Sequence, residues 1–143
     1  MKQNYLNLFL ILALLLGVGL ACTGTKAEEG KKITLPAKVA DETVRGFHFI
    51  YFKVPAGLDE KGLIETAQKL HDQEPTAQLI LVDDDSQLAD YIKYTKDISS
   101  GDQNAKLPKE WVSRHIVGNV QKFTSGKFKI CKGAGGIEIA DLK

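Results

Sequence analysis

The chain is predicted to fold as an α+β protein, with two helices packed on a mixed, mainly antiparallel sheet of four to five strands in the order β-α-β-α-β-β-β. Three observations predict it. Residues 47–52 and 79–82 are short runs apolar on both faces, as central strands are. Each is followed by a segment whose apolar residues recur at helical spacing. The last third of the chain alternates short apolar stretches with glycine-bearing turns, the pattern of a meander.

Taken in order, the first 21 residues stand apart. After Met1-Lys2-Gln3-Asn4, residues 8–22 run without a polar side chain. That run is short for a hydrocarbon core, which wants roughly 20 apolar residues as helix, and it suits a secretory signal peptide. Residues 22–31 are polar and turn-rich, the composition of a flexible tether. A single domain is expected over 32–143. Ile33-Thr34-Leu35 reads as a short edge strand cut by Pro36, which cannot donate to a ladder.

Phe47-His48-Phe49-Ile50-Tyr51-Phe52 follows as a strong central strand, aromatic and β-branched, and Pro55-Ala56-Gly57 breaks it. Asp59 is placed to cap a helix running to about Gln73, with Leu63, Ile64, Ala67 and Leu70 on one face. Glu74-Pro75 ends that helix. Residues 77–82 form the next strand. Residues 86–96 form the second helix, burying Leu88 and Ile92, with Asp85 or Ser86 as its cap and the other acids favouring its positive end. Residues 97–109 carry Ser99-Ser100-Gly101-Asp102 and Pro108 and read as the longest loop. Residues 111–123 read as a strand interrupted at Gly118-Asn119, and 127–131 and 137–140 as the last two strands, with turns at 124–126 and 133–136.

The composition excludes some functions. The chain of 143 residues has a net charge of +1, and residues 1–21 hold one lysine and no acid, so the remainder is neutral. Neutrality argues against a nucleic-acid partner, whose phosphates call for clustered Lys and Arg. No G-x-S-x-G, H-E-x-x-H or C-x-x-C occurs, and no cofactor is implied.

The two cysteines are Cys22 and Cys131. Cys22 directly follows the apolar run, behind Gly19-Leu20-Ala21. This placement resembles the lipobox of bacterial lipoproteins, and the resemblance covers residues 1–22. It implies cleavage before Cys22, a fatty modification of its sulfur and confinement to a membrane. Thr23 after the cysteine implies outer-membrane sorting in a Gram-negative cell. Where the lipobox prefers Leu three places before the cysteine, this chain has Gly19. The same small residues, Gly19 and Ala21, also suit an ordinary signal peptidase, which would leave Cys22 bare. A Cys22–Cys131 disulfide then becomes possible, since exported proteins live where such bonds persist.

Asp83-Asp84-Asp85 lies at the carboxyl end of a strand, where open α/β sheets place ligands, and three carboxylates could hold a divalent cation. The spacing matches neither an alternating D-x-D nor a calcium loop, since Leu88 occupies the position where that loop needs glycine. His48 and His115 fall in expected strands, and with Asp83 they could imitate an acid/base pair; His71 lies in the first helix. Gly133-Ala134-Gly135-Gly136 lies between strands and reads as a hairpin turn, not a phosphate cradle. Tyr91, Tyr94 and Trp111 are candidates for a recognition surface or for the core. Tyr91 and Tyr94 are expected close together on their helix. Alternation puts Cys131 on a face with Lys127 and Lys129, as a half-buried thiol.

Together these features point to a small exported, lipid-anchored, non-enzymatic domain of the cell envelope that binds a protein or envelope component through the 97–110 loop. The alternatives are a metal-dependent hydrolase using Asp83, Asp84 and His115, and a soluble secreted binder closed by the disulfide.

Overall fold

The computed structural model describes residues 36–143. The signal peptide, the tether, Cys22 and the expected strand at 33–35 lie outside the described residues. Six strands form one open mixed sheet in which sequence neighbours are also spatial neighbours. They are β1 (Ala37–Val44), β2 (Phe47–Lys53), β3 (Gln78–Val82), β4 (Ile116–Lys122), β5 (Phe128–Lys132) and β6 (Glu138–Asp141). Only β2 and β3 run parallel, with Ile50 opposite Leu79 and Phe52 opposite Leu81; the other four pairs are antiparallel. A parallel pair needs a crossover, and helix α1 (Glu60–Gln73) supplies it. Helices α2 (Leu88–Ser100) and α3 (Lys109–His115) lie between β3 and β4. The α+β class and mixed sheet therefore hold, with three helices and six strands among the described residues in place of two and four to five.

The sheet is central because β2 and β3 are apolar on both faces, and strand alternation sends successive side chains to opposite sides. Ile50, Phe52, Leu79 and Leu81 pack with Val120 and Ile130 beneath Leu63, Ala67 and Leu70 of α1. Tyr51, Ile80 and Val82 go to the other side, where Leu88 of α2 and Trp111 of α3 cover them. Each fully buried Leu or Ile stabilises the fold by about 1.5–3 kcal/mol. Gly118 lets α1 come this close to β4: a Cβ there would lie 3.2 Å from the Leu63 and Ile130 methyls and 3.3 Å from the Cys131 carbonyl oxygen.

Helix α1 begins as expected, Asp59 Oδ1 accepting the Gly62 N–H at 2.7 Å. Helix α2 does not. It starts at Leu88 behind Gln87, with no side-chain cap. Asp84 instead accepts the Ser86 N–H at 2.9 Å and the Ser86 hydroxyl at 2.8 Å, and Asp85 pairs with Lys53 at 2.7 Å. At its other end α2 closes on Gly101, in the left-handed region at φ 99°. The Asp102 N–H reaches the Asp97 carbonyl and the Gly101 N–H reaches the Ile98 carbonyl, the paired bonds of a glycine C-cap.

Two further corrections concern segments whose local signals mislead. Ala37–Val44 is a strand that its sequence hides, because Lys38, Asp41 and Glu42 break its apolar alternation; they are held in ion pairs with Asp41, Lys38 and Lys96 respectively. Residues 111–115, expected as strand, belong to α3. Pro108, at φ −74°, sets the first turn, where its carbonyl accepts the Val112 N–H. The turn drives Trp111 into the core against Tyr91.

Candidate functional site

Two places gather the chemistry-bearing side chains. The first lies where β2 and β3 end. Lys53 closes β2, Asp83 follows β3, and His115 closes α3 just before β4. The Asp83 N–H bonds to the His115 carbonyl at 3.1 Å, locking the two segments together. His115 Nδ1–H donates to Asp83 Oδ1 at 2.8 Å. A carboxylate can only accept, so this bond leaves Nε2 as the acceptor of the neutral ring. Nε2 lies 3.8 Å from Asp84 Oδ2.

The three aspartates do not converge. Asp83 serves His115, Asp84 serves Ser86, and Asp85 serves Lys53. The Ser86 N–H, then its hydroxyl, hold the Asp84 carboxyl below the usual carboxylate range, and the Lys53 ammonium does the same for Asp85. Among the described residues, no group of three or more His, Cys, Asp or Glu side chains is arranged to hold a metal ion. The Ser86 hydroxyl gives its proton to Asp84, not to His115. His115 and Asp83 thus meet as the sequence suggested, from a helix end instead of a strand, while His48 pairs with Asp41 at 2.6 Å in a separate contact. His71 is 6% exposed and tilted against Phe128.

The second place is a cleft of about 460 Å³ beside α2. One wall is the helix surface Asp90, Lys93, Tyr94 and Asp97; the other is the returning chain from Asp102 to Pro108. The loop is shaped by its own bonds: Asp102 Oδ1 accepts the Asn104 N–H at 2.9 Å, an Asx turn. Lys93 pairs with Asp97, which raises the lysine's pKa above its ordinary value. Among the described residues, Asp90, Asp102 and Lys106 make no ion pair, leaving two free negative charges and one positive in the cleft beside the Tyr94 ring and the apolar surface of Leu107 and Pro108.

The aromatic candidates separate. Tyr94 lines the cleft. Tyr91 turns to the sheet, 6.5 Å edge-on from Tyr51 and 6.1 Å from Trp111. At 3% exposure Trp111 belongs to the core and offers no recognition surface. Cys131 is more buried than expected, 1% exposed, its Sγ 3.5 Å from Gln121 Nε2. The same corner buries Asn119, which donates to the Gly133 carbonyl and accepts from Gln121.

No protein-family model matches the chain, no curated protein matches it, and no solved structure matches it.

Proposed function

We propose that this is a small exported binding domain of a bacterial cell envelope, non-enzymatic and anchored by lipid at Cys22, which takes a protein or envelope component in the cleft beside α2. The observation that carries this proposal is the cleft itself. Its loop wall is preformed by turn hydrogen bonds, so little ordering entropy is lost on binding. It offers the elements a partner uses: an aromatic ring, apolar Leu107 and Pro108, and three charges of both signs, on Asp90, Asp102 and Lys106, free for complementary groups.

The test has two parts. Crosslinking from native membranes should recover a defined partner with the natural chain and lose it with the Tyr94→Ala, Lys106→Ala and Leu107→Ala triple variant. Unchanged recovery refutes the cleft. The intact mass of the processed chain separates the anchor from its rival: acylation adds the mass of the fatty chains, whereas a Cys22–Cys131 bridge removes two hydrogens.

A second reading, a hydrolase acting through Asp83 and His115, is favoured by their 2.8 Å contact, which orients the ring as a general base would be oriented. Its metal-dependent form has little support from three carboxylates turned to three different partners. Calorimetry that finds divalent-cation uptake, weakened by Asp83→Asn, would restore it.

A further inference from the structure

Between α2 and the sheet, on the opposite side of the helix from the cleft, lies an apolar slot of about 270 Å³. Phe49, Tyr51 and Ile80 of the sheet form its floor, and Tyr91, Thr95 and Ile98 of α2 its roof, with Val44 and Ser99 also in its wall. An enclosed apolar cavity of roughly 150 Å³ already takes a benzene ring, so the slot has space for an apolar body nearly twice that size. Its lining is mainly apolar, and the Thr95 hydroxyl is turned to its own helix, donating to the Ile92 carbonyl at 2.8 Å. Burial pushes the Tyr51 phenol up to about 12, so it stays neutral. Such an interior favours a guest with no polar group of its own at that depth.

The wall near Ser99 is different. Arg45, in the two-residue turn between β1 and β2, has φ 51°, in the left-handed region that non-glycine residues rarely occupy. From there its Nε–H donates to the Ser99 carbonyl. That bond sets the guanidinium against a residue of the slot wall and next in sequence to another, Val44. It also serves the last turn of α2, which has no basic residue of its own. A guanidinium has five N–H donors in a planar fork matched to a carboxylate, and among the described residues no acid pairs with Arg45. The nearby Glu42 is already bound to Lys96 at 2.7 Å.

We infer that the slot is a second binding site, for a small amphiphilic carboxylate whose apolar tail enters between α2 and the sheet and whose carboxylate pairs with Arg45 at the rim. It is independent of the cleft and of the lipid anchor, and it requires neither.

Octanoate titrated into the isotopically labelled full chain tests this by amide chemical-shift mapping, with octylammonium as the same tail carrying the opposite charge. Octanoate should saturate at millimolar concentrations or below and shift the amides of Val44, Thr95, Ile98 and Ser99. Octylammonium should bind at least about tenfold more weakly, the difference expected for one charge-assisted contact. Arg45→Gln should remove that discrimination, and Ser99→Leu, which fills the slot from a helical position, should abolish binding with the helical spectrum kept. If Arg45→Gln does not fold, the comparison of the two ligands on the natural chain decides. Equal binding of both ligands, shifts confined to residues away from the slot, or octanoate binding undiminished in Ser99→Leu would each overturn the proposal.

Discussion

Replacing Gly101 by alanine should destabilise the domain by about 1 kcal/mol, through backbone conformation alone. The residue stands at φ 99° and a Cβ built there meets nothing within 4 Å, so steric crowding contributes nothing. An L-residue in the left-handed region costs roughly 1–2 kcal/mol, and a lower unfolded-state entropy returns a few tenths of that. With a urea dependence of about 1–3 kcal/mol per molar for a domain of this size, the midpoint should fall by roughly 0.5 M. Asparagine tolerates the left-handed region better than alanine does, so stability should rank Gly101 above Gly101→Asn and that above Gly101→Ala. Gly135→Ala is the control, because a Cβ there also meets open space and no positive φ is required. A Gly101→Ala chain as stable as its Gly135→Ala counterpart would refute the C-cap and the course it sets for the loop leading into the cleft.

Leu70→Ala, at a site 1% exposed between α1 and the sheet, should cost about 2–5 kcal/mol in the same urea assay; a loss under about 1 kcal/mol would mean that α1 does not seal that face. Asp84 and Asp85 both have folded-state carboxyls held below their ordinary value, by Ser86 and by Lys53 respectively. Their stabilisation is therefore present above the ordinary carboxylate range and is lost as pH falls through and below it. The Asp84→Asn, Asp85→Asn double variant should show a flatter decline of the urea midpoint between about pH 5 and pH 2, and an unchanged slope would show that neither contact persists in solution.

The helix over 60–73 was legible because every level agreed there: an aspartate cap, a one-sided apolar stripe and a proline stop. Strand β3 was legible from its apolar run. β1 was not, because its partners are charged side chains that only the folded chain brings together, Glu42 with Lys96 above all. The segment 111–115 misled because Trp111 and Val112 are residues strands favour, and only the proline at 108 and the packing of Trp111 against Tyr91 decide for helix. The same limit applied to sites. The His115–Asp83 contact could be suspected from residue types, but the divergence of Asp83, Asp84 and Asp85 could not, since it depends on where Lys53 and Ser86 sit. The loop of the cleft was visible as a polar, turn-rich stretch, but it is shorter than expected at both ends: residues 97–100 extend α2 as far as the Gly101 cap, and Lys109 and Glu110 already belong to α3. The apolar slot was invisible, because which residues of β2, β3 and α2 face one another across it is decided only by how the helix packs on the sheet.

An open sheet leaves two strands with an unpaired flank, a template on which other chains can stack and aggregate. Here both flanks carry deterrents. β1 is bulged between Lys38 and Ala40 and bears Lys38, Asp41 and Glu42. β6 is four residues long and carries Glu138 and Asp141, tied to Lys129 and Lys127. A newcomer strand would have to match a kinked, charge-studded border on one side and a very short one on the other. Among the described residues, both borders therefore disfavour edge-to-edge stacking.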